Sequence, residues 1–414
     1  MLWLMPQVLG LRCRECGEEY ETQPTHVCEM CFGPLDVVYD YDAIRKRISR
    51  ERVESGPPSI WRWRDLLPLE VDAPIVTLGE GLTPLVKADR LGAELGLRNL
   101  YLKNDSMNPT NSFKDRVVSV AVSWARQAGF ETIACASTGN LANAVAAYAA
   151  RAGLECFVFT PADLEPQKLV AIGVFEPTLV AVDGNYDEVN RLCSELIENY
   201  PWAFCNINIR PFYAEGSKTL TFETAEQLGW RLPDEIVIPI ASGCQFVRHR
   251  RAAQELIDLG LVDGDRVPAL TGAQALGCSP VYNAWKEGSD QVFPVRPNTI
   301  ARSIAIGNPS DGTYVVRIAR DTGGVVEAVT EEEIVDAIRL LARTEGIFTE
   351  TAGGVTIGVL AKLARAGRWR GDETVVAYVT GHGLKTADVI VGSGDGRRIE
   401  IDPNLRSFRE KVQV

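Results

Sequence analysis

From about residue 100 onward, short runs of β-branched and apolar residues alternate with longer segments of helical period. The runs fall at 100–103, 132–136, 155–160, 179–182, 236–240 and 375–379, and they read as strands buried on both faces. The plainest helical segment is 330–345. There Thr330 and Glu333 form a capping box, Ile334, Ile338 and Leu341 share one face, and Gly346 ends the run. Such alternation predicts an α/β fold, with parallel sheets covered by helices. A chain of 414 residues has room for two or three domains. Residues 1–40 stand apart as a small cysteine-bearing module, and 41–54 read as a charged linker to the core at 41–414.

In a fold of this kind ligands sit where strands end and helices begin, because loop amides and helix N-termini are positive there. Four such turns carry unusual residues. Asn108-Pro109-Thr110-Asn111-Ser112-Phe113-Lys114-Asp115-Arg116 puts a lysine in the first turn of a helix, where the dipole disfavours a cation. That placement suits an amine whose pKa must fall before it can act as nucleophile and base, although an exposed lysine paired with Asp115 is the plainer alternative. Ser137-Thr138-Gly139-Asn140 offers two hydroxyls, an amide and a glycine at a helix start, more than an ordinary N-cap needs. Ala241-Ser242-Gly243-Cys244 follows the same logic as a short glycine loop. Thr380-Gly381-His382-Gly383 ends the last strand and is either a fourth functional turn or a glycine-rich bend with a chance histidine.

The ten cysteines divide into two groups. Cys13-x-x-Cys16 and Cys28-x-x-Cys31 have knuckle spacing, and four soft ligands favour a closed, structural Zn²⁺ site over reduced or degenerate thiols. His26 lies within this module, either behind the ligands or on the surface. Cys135, Cys156, Cys193, Cys205, Cys244 and Cys278 read as reduced thiols, which points to the cytoplasm. The opening residues 1–6 are apolar but lack a basic n-region and a full h-region, so no signal peptide is expected. The uncharged stretch 132–150 approaches the length of a membrane span. Ser137, Thr138, Asn140 and Asn143 inside it would each need a partner in lipid, which argues against a membrane protein. With 43 basic and 55 acidic residues the net charge is −12, so nucleic acid is not an expected partner and a phosphorylated ligand needs a local positive pocket.

In combination, NPTNSFKDR (108–116), STGNLANAVAAYAA (137–150), NINIRPFYAEGSKT (206–219), PIASG (239–243), ETAGGVT (350–356) and TGHGLKT (380–386) resemble the threonine synthases of the pyridoxal-phosphate fold type II superfamily. The subgroup resembled carries an N-terminal zinc ribbon. The resemblance implies two α/β lobes, the smaller at about 100–210 nested within the larger. It implies pyridoxal 5'-phosphate held as a Schiff base on Lys114, beside Phe113. Asn140 then lies near the cofactor's phenolic oxygen, and Ser137 and Thr138 take the substrate carboxylate. Ser242, Gly243, Cys244 and Gln245 hold the cofactor phosphate, and Thr380 meets the pyridine nitrogen. Lys103, Asn208, Arg210 and Ser217 receive the substrate phosphate, with Zn²⁺ on Cys13, Cys16, Cys28 and Cys31. The implied reaction takes O-phospho-L-homoserine and water to L-threonine and phosphate in a homodimer.

Three positions depart from the family pattern. Cys244 stands where a serine is expected, His382 replaces the asparagine of TGNG, and Gln245-Phe246-Val247-Arg248-His249-Arg250-Arg251 is unusually basic. A threonine or serine dehydratase, or a cysteate synthase acting on O-phosphoserine, would share Lys114 and the loops. From another class, a catalytically dead zinc-ribbon interaction protein would lack a complete set of site residues.

Overall fold

The computed structural model describes residues 7–412 apart from 138, 163–165, 185 and 392–398. Thr138 and the opening residues 1–6 therefore lie outside the described residues. Among those described, three sheets form. The first is small and antiparallel, built from β1 (Val8–Cys13), β2 (Glu19–Tyr20) and β3 (Leu35–Tyr39) in the order β2-β1-β3. Its inner side chains Leu11, Leu35 and Val37 are buried and join the apolar cluster of Val117, Trp124 and Phe212.

The chain then enters the large sheet with β4 (Leu85–Lys87) and β5 (Asn99–Asn104). It leaves to build a second sheet from β6 (Thr132–Ala136), β7 (Glu155–Pro161), β8 (Thr178–Val182) and β9 (Ala203–Phe204), all parallel in the order β8-β7-β6-β9. It returns with β10 (Glu235–Pro239), β11 (Ala269–Ala275), β12 (Val326–Val329) and β13 (Thr374–Val379). The large sheet runs β12-β11-β10-β13-β5-β4, and only β4 is antiparallel to its neighbour. Strand order reverses between β10 and β13, and ligands of open α/β sheets gather outside the carboxyl ends of strands at such a point.

All six runs expected from the sequence are strands. The capping box at Thr330 opens a helix, Glu331–Glu345, which Gly346 ends at φ 68°. Residues 41–54 differ from the expected linker. They form two short helices, Tyr41–Arg45 and Arg50–Glu54, capped by the side chains of Asp40 and Ser49. Tyr41 donates to Glu255 and Arg50 to the carbonyl of Leu261, so the charges of this segment tie it to the core.

Candidate active site

A cavity of about 1850 Å³ opens at the carboxyl ends of β6, β10 and β13. Three of the four unusual turns line it through Lys114, Asn140 and Cys244, and Thr380 of the fourth completes the wall. The volume is about twice the upper range for a drug-sized ligand, enough for a cofactor together with a substrate.

Lys114 is the first residue of the helix Lys114–Gln127. The loop before it is pinned to the end of β13, since Phe113 donates its amide to the carbonyl of Thr380 at 2.8 Å. Lys114 Nζ donates to Tyr213 Oη at 3.2 Å and lies 5.4 Å from the Phe113 ring centre. Burial lowers its pKa from the ordinary lysine value, and nearby Cys244, Cys205 and Glu350 only partly oppose this. The plainer alternative fails, because Asp115 does not pair with Lys114. Its carboxylate accepts from the amide and hydroxyl of Thr110, both at 2.9 Å, and burial pushes it up to about 7.

Three helices begin at the cavity wall: Lys114–Gln127, Asn140–Ala152 and Cys244–Asp258. The Ser112 and Ser242 hydroxyls accept from the first amides of two of them, Lys114 and Cys244, at 3.3 and 3.5 Å, and no N-cap side chain closes any of the three. Three helix N-termini converging on one cavity make it favourable for anions. At the third, Gly243 adopts φ 89°, a left-handed conformation that favours glycine. Buried Gln245 Nε2 and Asn206 Oδ1 lack a hydrogen-bond partner among the described residues, and both side chains line the cavity. A phosphorylated aromatic aldehyde fits these donors: an amine of lowered pKa for its carbonyl, a glycine loop with a helix start for its phosphate, and Thr380 for its ring.

Asn140 lines the cavity, with its Nδ2 held by both oxygens of Glu350 at 2.9 and 3.0 Å. Ser137, Ser217, Ser242 and Arg210 also line it. Lys103 and Asn208 do not, which corrects their expected contact with the substrate phosphate. Lys103 is fully buried on β5, where Nζ donates to Glu223 at 2.9 Å, Gln227 at 2.8 Å and the Thr83 carbonyl at 2.7 Å. Asn208 bonds the backbone of Phe204 and Trp202, closing a turn, and Asn206 takes the cavity position instead.

The departures from the family pattern also find places. Cys244 lines the cavity, and burial raises its thiol pKa. His382 Nδ1 accepts the Leu384 amide at 3.2 Å, so its ring caps a turn. Arg248 and Arg251 point away from the cavity: Arg248 donates to Asp36 at 2.8 Å and Arg251 to the carbonyl of Val37 at 2.6 Å, docking the N-terminal sheet. His26 of that module lines the cavity, and burial, with Arg210 nearby, pushes its pKa down to about 4. Tyr213, Glu350 and Lys385 are cavity residues to which sequence reasoning assigned no role, although each falls within a motif quoted above.

At the far side of the module the sulfurs of Cys13, Cys16, Cys28 and Cys31 all lie within 4.8 Å of one another. The Cys13–Cys31 and Cys16–Cys28 separations are 3.4 and 3.5 Å, too long for a disulfide. A tetrahedral zinc with Zn–S bonds of ~2.3 Å needs sulfurs about 3.8 Å apart, so the cluster fits that ion closely.

Residues 76–381 match the model of the family described as pyridoxal-phosphate dependent enzyme. The chain is 37% identical to the threonine synthase of Methanocaldococcus jannaschii over 95% of its own length and 97% of that protein. It is 38% identical to the threonine synthase of Methanosarcina acetivorans, over 97% and 98% of the two chains. Among solved structures, threonine deaminase isoform 2 of Solanum lycopersicum superposes with a TM-score of 0.63 at 21% identity. That match covers 75% of this chain and 84% of the other, and it shows the shared fold. A lysine amine of lowered pKa among converging helix starts thus coincides with full-length likeness, and the chain belongs to the threonine synthases of the pyridoxal-phosphate dependent enzyme family.

Proposed function

We propose that the chain converts O-phospho-L-homoserine and water to L-threonine and phosphate, with pyridoxal phosphate on Lys114 and zinc on the four cysteines. The observation that supports this most is the Lys114 amine, its pKa lowered by burial, in one cavity with Arg210. The bound cofactor supplies an electron sink for charge developing at the substrate's Cα. Lys114 Nζ takes the α-proton, and the lowering of its pKa by burial favours that role. Tyr213 Oη, 3.2 Å away, holds that amine in place between proton transfers. The amides at the start of the helix Asn140–Ala152, with Ser137, receive the substrate carboxylate, and Glu350 orients Asn140 beside them. Arg210 and Ser217 receive the phosphate that leaves from Cγ. Ser242, Gly243, Cys244 and Gln245 would hold the cofactor phosphate, and Thr380 would contact its ring.

Incubating the cofactor-loaded enzyme with O-phospho-L-homoserine should release phosphate and L-threonine in equal amounts, while O-phospho-L-serine gives neither. Turnover of phosphoserine alone would move the assignment to the cysteate synthase or dehydratase group. For the metal, we expect about one zinc per chain, removed by Cys13→Ser with Cys28→Ser and detected by metal analysis. Full zinc in that double variant would refute the ligand set. The family resemblance also supports a homodimer in the cytoplasm, and six further cysteines are free thiols. No helix among the described residues is long and apolar enough to cross a membrane.

A further inference from the structure

Arg14 lies in the knuckle between Cys13 and Cys16, so the position of its backbone follows the metal site. Its guanidinium leaves the module. Nε and Nη2 donate to Asp36 at 3.0 and 2.7 Å, Nη1 donates to Asp311 Oδ1 at 2.7 Å, and the group lies 4.5 Å from the Tyr314 ring centre. The Asp311 side chain is 1% exposed, and its other oxygen accepts from Arg210 Nη2. The Asp311 amide donates to the carbonyl of Ser242 at 2.9 Å, and a Cβ added at Gly243 would meet Asp311 at 3.0 Å. One buried aspartate thus touches the arginine of the cavity wall, the glycine loop of the cofactor site and the metal knuckle.

A carboxylate paired with a single guanidinium neutralises it and draws it out of line. Shared between two, it orients both and neutralises neither fully. We propose that Arg14 is a positioning residue: by sharing Asp311 with Arg210 it fixes Arg210 at the cavity wall and keeps that charge available to the substrate's phosphate. The proposal rests on the assignment of Arg210 to that phosphate, made above. It gives the cysteine module a part in substrate recognition, carried by the two anchors Arg14–Asp311 and Arg248–Asp36. It also gives Arg248, of the unusually basic segment after Cys244, a part, since Arg248 and Arg14 both donate to Asp36 Oδ1.

The test uses the zinc- and cofactor-loaded enzyme and four variants: Arg14→Gln, Arg14→Lys, Arg210→Gln and the Arg14→Gln/Arg210→Gln pair. Calorimetric titration with inorganic phosphate reads the anion site directly, beside KM, kcat, zinc content and cofactor absorbance. Arg14→Gln should weaken phosphate binding and raise KM by about tenfold, with kcat within about twofold. In the Arg210→Gln background it should have no further effect. A merely structural Arg14 would lower kcat as much as it raises KM, or would act in full on that background, and either result overturns the proposal. If Arg210→Gln alone leaves phosphate binding and KM unchanged, the assignment of Arg210 falls, and the role of Arg14 falls with it. If Arg14→Gln loses zinc, Arg14→Lys decides. One ammonium can keep Asp311 and give up Asp36, so the zinc-loaded Lys variant should bind phosphate within about twofold of the parent, and a loss there as large as in Arg14→Gln overturns the proposal.

Discussion

Replacing Lys114 by alanine will leave a folded protein that lacks the visible absorption of bound cofactor and turns over four to six orders of magnitude more slowly, about the loss seen when a covalent nucleophile is removed. The size of the effect follows from placement. Lys114 would supply both the point of attachment and the base, and its amine donates to Tyr213 Oη at 3.2 Å. Asp115 cannot substitute, because its carboxylate is committed to the amide and hydroxyl of Thr110. Lys385 also lines the cavity, but its Nζ is held by Asn143 Oδ1 at 3.1 Å. Absorption spectroscopy and single-turnover kinetics check the result. A coloured, active Lys114→Ala protein would refute the assignment.

Lys103→Met will show the opposite profile, a large loss of stability with an unchanged KM. Lys103 and Arg116 are fully buried against Glu223, and Arg116 also grips Asp105 at 2.6 Å. Removing one partner from such a group leaves a buried charge short of compensation, at a cost of about 3–5 kcal/mol. Denaturant unfolding reads the loss, and steady-state kinetics on the surviving folded protein reads KM. A raised KM with unchanged stability would return Lys103 to the substrate site. The same group sets a pH dependence. Burial pushes Glu223 up, but Arg116 and Lys103 outweigh it and hold its pKa at about 2, below the ordinary 4.5. The stability it contributes is therefore complete above pH 4.5 and is lost as the pH falls toward 2.

The core strands were legible because burial on both faces demands continuous apolar runs, and β5, β6, β7, β10 and β13 have them, whereas β8, at the edge of its sheet, is a strand as expected but has no fully buried residue. β11 escaped for a physical reason. Its sequence Ala-Leu-Thr-Gly-Ala-Gln-Ala is made of small residues, and a Cβ at Gly272 would lie 2.3 Å from Ile240 Cδ1, so close packing has removed the apolar bulk that marks a strand. Lys114 and the glycine loops were legible because their chemistry is local to a turn. Lys103 was misplaced because a lone lysine in an apolar strand says nothing of Glu223, 120 residues later. The choice between Asn206 and Asn208 is decided by two residues of register in a turn, which composition does not encode. Tyr213 and Glu350 lay within recognised motifs but reach the amine and Asn140 only through the tertiary fold.

The cysteine module also implies an order of events in time. The cysteines span positions 13 to 31, so a metal can close the knuckle as soon as this short segment leaves the ribosome. Arg14 must wait for Asp311, 297 residues further along, about 15–60 s at ordinary rates of synthesis. During that interval the module meets its other docking partners, Phe212 and then Arg248, before Asp311. If zinc binds as proposed, the newborn chain closes its cysteine knuckle long before Arg210 is fixed, and a truncated product ending before residue 311 would keep the four cysteines while lacking the grip that Asp311 provides.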